Sequence, residues 1–337
     1  MRGAVSLGLG LVAIAGTAHA DSSVTITLNA QGQELADQIG FNPADLIATS
    51  KAKIDDLYRL SQFPHLLTAF ADTAATAQAG MGVDYDPDSG DILIGASAGG
   101  IHGDVAIGTK NELLGGSIVN FAGMAGVNLG RWNHPKWTVS ANGFYESTTI
   151  HDLDGTLLTI GAHVQYRILP PTRPNHVRWT GLSATTGLEY ASWTVGTTSG
   201  GSIESGYVVE GSKDRASIHL SSTGTLDVNV TTVRVPLEVT TGVRFFDTLV
   251  LYAGGGLDFT GGSSEIVAQL TSVLSINEDM LPIGTAVITG SETDSPTPVT
   301  AHALGGFAIH SRHVRVMVQG QVSPGELAVN LGLRIAP

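Results

Sequence analysis

The chain has 337 residues, no cysteine, 43 glycines and a net charge of −13, from 17 basic against 30 acidic side chains. That acidic balance excludes nucleic-acid binding by phosphate neutralisation, and the absence of cysteine excludes a disulfide framework or a thiolate metal site. With only 14% charged residues and a mean hydropathy of +0.17, yet no run of 18 apolar residues beyond its start, the chain cannot span a bilayer by helices, which leaves a closed barrel as the spanning solution.

Residues 1–20 have the order of a secretory signal peptide: Met1 and Arg2 form a short basic start, 4–15 are apolar, and Ala18-His19-Ala20 supplies small residues for cleavage. Export by this signal peptide to the cell's outer membrane is therefore expected. Residues 21–80 carry helical signals. Asn42-Pro43 is a cap and first-turn pair, Leu46, Ile47, Ile54, Leu57 and Tyr58 share one helical face, and Pro64 opens a second, Ala-rich helix to about residue 78. Such an N-terminal helical segment either caps a sheet or plugs a barrel.

Residues 81–337 consist of strand and turn signals. Candidate strands lie at 91–98, 117–129, 136–147, 156–168, 179–195, 203–210, 217–230, 232–246, 248–260, 265–274, 283–290, 300–310, 312–322 and 326–336. The best of them alternate strictly: Val233, Val235, Leu237, Val239, Val243 and Phe245 on one side, with Arg234, Glu238 and Arg244 opposite. A period of two places successive side chains on opposite faces of a strand. Leu327, Val329, Leu331, Leu333 and Ile335 repeat the pattern against Asn330 and Arg334, as do Val314, Val316, Val318 and Val322 against His313, Arg315, Gln319 and Gln321. Leu158, Ile160, Ala162, Val164, Tyr166 and Ile168 do the same against His163, Gln165 and Arg167. Runs of this length suit tilted transmembrane strands, which need roughly 9 to 11 residues. Phe246-Asp247, Ser311-Arg312 and Ser323-Pro324-Gly325 mark short turns, whereas 275–299 has the composition of a long polar connection. Aromatic residues near run ends, Trp132, Trp137, Tyr145, Tyr166, Trp179, Trp193, Phe245, Phe246 and Phe259, resemble a sparse interfacial girdle.

These features predict a mainly β fold: an antiparallel up-and-down transmembrane β-barrel of about 12 strands, in a range of about 10 to 14, preceded by an α-helical segment. On that fold Arg167, Arg234, Glu238, Arg244, Arg315 and Arg334 are the lumen-facing candidates. Pro236 conflicts with a fully closed wall, because it removes a ladder donor and requires a bulge or an edge there. The alternative is a soluble exported β-sandwich or β-solenoid binding module, whose apolar faces pack on each other instead of on lipid.

Catalytic signals are weak. Gly95-Ala96-Ser97-Ala98-Gly99 spells a nucleophile elbow, but no helix signal follows the serine. Asp84, Asp86, Asp88 and Asp91 resemble a calcium loop interrupted by Pro87 and lacking its terminal glutamate, and are read as a solvated acidic turn. His302, His310 and His313 fall near one hairpin without a carboxylate beside them and are read as lumen residues. No catalytic residue, metal or cofactor is expected. The expected role is non-enzymatic: structural, adhesive or permeation-related.

Several strings resemble a family of surface-exposed outer-membrane proteins best known from spirochaetes and typified by a leptospiral surface adhesin. They are Ala69-Phe70-Ala71-Asp72, Arg178-Trp179-Thr180-Gly181-Leu182-Ser183 leading to Gly187-Leu188, Val235-Pro236-Leu237-Glu238 leading to Gly242, and the 251–259 strand with Gly254-Gly255-Gly256-Leu257. The resemblance implies an outer-membrane barrel whose partners are membrane lipid and, through loops, extracellular matrix or other surface ligands.

Overall fold

A computed structural model describes residues 21–39, 63–81, 83, 85, 92–107, 112–150, 153–173, 176–203, 218–276, 281–311 and 314–335. The signal-peptide reading, the Asn42 helix and the 84–91 aspartates lie outside these residues. The elements are β1 (Asp21–Leu28), α1 (Ala30–Ile39), α2 (Phe63–Thr76), β2 (Ile92–Ile107), β3 (Glu112–Asn128), β4 (Trp137–Ile150), β5 (Leu153–Leu169), β6 (Val177–Ile203), β7 (Ile218–Phe245), β8 (Leu249–Ile276), β9 (Leu281–Asp294), β10 (Val299–His310), β11 (Val314–Ser323) and β12 (Glu326–Ile335). No described helix is long and apolar enough to cross a membrane.

All the strands join one antiparallel 12-stranded sheet that closes on itself where β7 pairs with β8. The route of closure follows from the length of β8. Its first half pairs with β10, from Leu249↔Ile309 to Phe259↔Val299. Its second half pairs with β9, from Ser264↔Asp294 to Ile276↔Leu281. β9 therefore continues the line of β10 along the same neighbour, with Pro296 and Pro298 in the break between them. β1 joins only at this upper level, through β9. The closed ring thus contains every strand except β1 and β9, which extend the wall at one end.

The connection expected at 275–299 is largely β9: Pro282 falls at its start, where the β8–β9 register shifts between Leu274 and Ser275, and Pro296 and Pro298 lie beyond its end. The segment expected to be helical from 21 begins with β1, where Val24, Ile26 and Leu28 alternate with Ser23, Thr25 and Thr27. Two pairs of candidate strands fuse: 217–246 is covered by β7 and 248–274 by β8.

Pro236 sits neither at an edge nor in a bulge. β7 is flanked by β6 and β8 along its length, and Pro236 pairs with Asp258. On the β6 side the ladder passes from Glu189↔Arg234 to Thr186↔Leu237 with no partner for Val235 or Pro236 and resumes in the same register. The missing donor therefore falls in a local gap of an otherwise continuous wall. The bulge in this region is at Gly181 (φ +98), where the β6–β7 register shifts between Trp179 and Leu182. A Cβ on Gly181 would lie 2.4 Å from the Leu169 carbonyl oxygen. Trp179 Nε1 donates to Thr241 Oγ1 at 2.7 Å, and that hydroxyl donates to the Gly181 carbonyl at 2.9 Å.

The outer surface has two zones. Near the short turns, an apolar belt circles the ring: Leu327, Val329, Leu331, Leu333 and Ile335 on β12, Val233, Leu237 and Val239 on β7, and Leu251 and Leu257 on β8 are all exposed. Farther along the same faces most exposed residues are polar, with Thr223, Asp227 and Thr231 on β7 and Ser263, Glu265, Gln269 and Thr271 on β8, and Val273 as an exposed apolar residue beyond them. The belt is about as high as a transmembrane strand is long. β6, β7 and β8, at 27, 28 and 28 residues, run well past it, each measuring roughly 90 Å along the strand. Aromatic contacts line the belt: Trp137 on Tyr166 at 4.7 Å and Phe246 on His176 at 5.7 Å at its turn-side boundary, and Phe121 on Phe144 at 5.8 Å within it. Trp193, expected in the girdle, instead points inward and is 8% exposed. A closed ring with an apolar exterior and a polar interior excludes the sandwich alternative, whose apolar faces would be covered by protein.

Candidate functional site in the barrel interior

The interior is occupied by α2 and the residues that follow it. Leu67, Ala71, Ala74, Ala77, Ala79, Met81, Val83 and Tyr85 are all buried. At the level of the polar wall, Ala71, Ala74 and Ala77 pack with Trp193, Val230, Ile101 and Ala328, and Phe70, Leu157 and Val228 close around them. Small side chains on α2 allow this close approach to inward-facing residues. Below, the chain is no longer helical and its carbonyls require donors. The wall supplies them: Asn120 donates to Ala77, Asn330 to Ala79, and Arg334 to Val83. Gln78 donates to the Tyr190 carbonyl and accepts from Asn142 at 3.3 Å. Gly80 has φ +71, and a Cβ there would lie 1.9 Å from Gln319 Nε2. The segment and the wall therefore touch without room for a methyl group.

Ahead of these residues, Thr68 donates to Asp294 at 2.7 Å and Thr76 to Glu326 at 2.6 Å. Asp72 accepts from the Thr297 amide at 2.6 Å and from its hydroxyl at 2.7 Å. Burial raises the Asp72 pKa above its ordinary value, outweighing the two Thr297 hydrogen bonds that lower it.

A chain of charges crosses the mid-height of the ring. Arg234 Nη1 lies 2.9 Å from Glu189 Oε2, and its Nη2 lies 2.7 Å from Asp258 Oδ1. Asp258 Oδ2 lies 2.7 Å from His302 Nδ1, and His302 Nε2 lies 3.4 Å from Glu238 Oε1. Glu238 accepts from the Tyr85 hydroxyl at 2.9 Å, and the Tyr85 ring stacks on Tyr252 with centroids 5.4 Å apart. His163 Nε2 stands 3.2 Å from Asn142 Oδ1 and 3.7 Å from Glu189 Oε1. The contacts from Glu189 to Glu238 span four strands, β6, β7, β8 and β10, are joined from β5 and β4 by His163 and Asn142, and reach the inserted segment through Tyr85. Charges this buried persist only when opposite charges and hydrogen bonds offset their lost hydration. A cavity of about 160 Å³ adjoins the network and is lined by Asp72, Thr76, Arg234, Asp258, Thr297 and Glu326, among others.

Of the residues singled out from the sequence, Arg234, Glu238, Arg244, Arg315 and Arg334 are buried at 2, 4, 6, 5 and 2% exposure, and Arg167 is partly buried on the face of His163 and Gln165. Arg234 and Glu238 belong to the central network. Arg244 and Arg315 sit one residue from the turn-side ends of their strands, with Arg178 and Arg334 as their respective cross-strand neighbours. Glu189, Asp258 and Tyr85 were not legible as partners. The bulge at Gly181 shifts the alternation of β6 and hides the face of Glu189, while Asp258 follows a glycine run that carries no face signal.

Ser97 lies inside β2, opposite Gly332 and Ala122, so the sharp turn of a nucleophile elbow is absent there. His302 and His310 are held apart: His302 pairs opposite Gly256 at mid-height, whereas His310 lies at the turn end, its amide bonded to the Thr248 carbonyl. His313 lies outside the described residues. Among the described residues no group of three or more His, Asp or Glu is arranged to hold a metal ion.

The family described as Lsa36-like matches residues 13–336. No curated protein matches the chain. Among solved structures, the translocator domain of the autotransporter NalP from Neisseria meningitidis is similar at 8% identity and a TM-score of 0.28, over 86% of this chain and 98% of that one. A Pseudomonas aeruginosa FadL homologue is similar at 9% identity and a TM-score of 0.28, over 80% and 98%. The Ralstonia pickettii toluene transporter TbuX is similar at 9% identity and a TM-score of 0.27, over 74% and 90%.

Proposed function

The chain belongs to the Lsa36-like family, and we propose that it is an exported, occluded outer-membrane barrel whose tall polar wall serves as an attachment surface outside the cell. The observation that carries this reading is the change along one face of β7. Val239, Leu237 and Val233 are exposed apolar residues of the belt, and Thr231, Asp227 and Thr223 continue the strand into water. Strands that run so far beyond the bilayer present an extended polar surface to water. The filled interior favours attachment over steady permeation, since α2 and residues 77–81, 83 and 85 occupy the space that a channel needs. The partners of such a surface are extracellular matrix components or other surface ligands, and the barrel itself contacts outer-membrane lipid.

The experiment compares proteoliposomes carrying the full-length mature chain with empty liposomes, in planar-bilayer conductance and in retention on matrix-coated surfaces. The reading expects no steady conductance and specific retention. Steady conductance without retention would replace it with a permeation role.

A further inference from the structure

We infer that the N-terminal segment of the mature chain is threaded through its own barrel, so that β1 is displayed on the outer face of the membrane while β2 begins on the inner face. β12 acts as a ruler for the path. Thr76 is bonded to Glu326 at the start of β12, the Ala79 carbonyl to Asn330 in its middle, and the Val83 carbonyl to Arg334 near its end. The segment therefore descends the lumen alongside β12, from the β11–β12 turn at Pro324-Gly325 toward the rim that carries the Phe246-Asp247 turn. It must then reach Ile92, the first residue of β2, which pairs with Val127 one residue from the turn-side end of β3. At the opposite end, β1 pairs with β9 from Asp21↔Ser291 to Leu28↔Gly284, on the part of the wall above the belt. Chain positions 28 and 92 are thus on opposite sides of the apolar belt, and the described residues between them that enter its level, 77–81, 83 and 85, run inside the ring.

Outer-membrane barrels keep short turns on the periplasmic side and place their long connections outside. The β11–β12 turn at Pro324-Gly325 is on the other rim, but so are the long extensions of β6, β7 and β8, which assign that rim to the outside. The two-residue turn at Phe246-Asp247, both with positive φ, and the end of β12 at Ile335 mark the inner side. β1 and α2 are therefore on the outer side. The barrel carries its own N-terminal region across the membrane, and that region completes the outer wall by pairing with β9.

The inference rests on the outer-membrane reading above, and one labelling experiment separates the two. Because the chain has no cysteine, single cysteines report without background. Thr25→Cys on β1, Asp227→Cys on the polar part of β7 and Thr248→Cys beside the short turn are placed at exposed positions of the full-length protein in an outer-membrane-bearing host. Intact cells are treated with a membrane-impermeant maleimide. The inference expects Thr25→Cys to label as fully as Asp227→Cys, with Thr248→Cys labelled only after the outer membrane is permeabilised. Ser23→Cys, on the same face of β1, repeats the test should Thr25→Cys fold poorly. An unreactive β1 cysteine beside a reactive Asp227→Cys overturns the inference alone. Equal reactivity of Asp227→Cys and Thr248→Cys in intact cells overturns the transmembrane reading and the inference with it.

Discussion

Arg234 is the residue on which the interior depends most. It is 2% exposed and bridges Glu189 and Asp258, so its removal leaves buried carboxylates without their countercharge. Breaking a buried pair by deleting one partner costs about 3–5 kcal/mol. Arg234→Met is expected to destabilise the barrel by that amount in urea titrations of detergent-refolded protein, and a loss below about 1 kcal/mol, the range of exposed pairs, would show that the network is hydrated. Asp72 gives a prediction of opposite sign. Its pKa is higher in the folded protein than its ordinary 3.8, so the fold favours the protonated acid. Its contribution is fully present below the ordinary value and is lost as pH rises through the raised one. Asp72→Asn retains an acceptor for Thr297 and cannot ionise, so it should flatten the stability–pH curve across that window. An unchanged curve would mean that Asp72 is hydrated in solution.

Gly80 sets the contact between inserted segment and wall. Its positive φ disfavours any side chain by about 1–2 kcal/mol, and a methyl group would meet Gln319, which is fully buried. Gly80→Ala should therefore lower the midpoint of heat modification, and pairing it with Gln319→Ala should recover part of the loss. If the double variant is no better than the single one, backbone strain accounts for the whole effect. Gln319 is an inward polar position packed against Gly80 and Tyr252.

At the scale of elements, the contrast between membrane and water lies within single strands. On β7, Leu237 is 47% exposed in the belt, and Thr231 is exposed beyond it on the same face. Arginine on a lipid-facing position costs about 2–4 kcal/mol at the bilayer midplane and about 0–1 near the interface. Leu237→Arg should fall in the first range and Thr231→Arg in the second, measured by refolding equilibria in vesicles. Equal costs would place the belt boundary elsewhere. The apolar half of this pattern was legible in the sequence, because period-two alternation over β7, β11 and β12 assigns faces directly. The polar half was not read as one strand: Thr223, Asp227 and Thr231 offer no apolar face, so 217–230 and 232–246 looked like separate strands. The charged faces of β5, β7, β11 and β12 were legible for the same reason as the belt. The network itself was not, since Glu189 and Asp258 become partners of Arg234 only once register brings β6 and β8 to either side of β7.

For the whole molecule, ring closure through β7 and β8 turns an amphipathic sheet into a wall with lipid outside and a packed polar interior. Pro236 suggested an open edge from sequence, yet it is accommodated by one gap in the β6 ladder, because β8 still pairs with every residue around it. The inserted segment fills the interior, its alanines packing with Trp193, Val230 and Ile101, Val83 and Tyr85 packing with Val250, Tyr252 and Leu304, and its carbonyls accepting from the wall. The membrane, the plug and the tall wall are consequences of one arrangement: a closed ring about one bilayer high with strands that continue beyond it.

The most direct test of that arrangement is depth-dependent quenching of a bimane probe on single cysteines at Leu237, Thr231 and Asp227, in the cysteine-free chain refolded into vesicles of brominated lipid. The account predicts strong quenching at Leu237 that falls away by Thr231 and is absent at Asp227. Uniform quenching along the strand, or none at Leu237, would contradict a belt confined to the lower part of β7 and with it the transmembrane barrel.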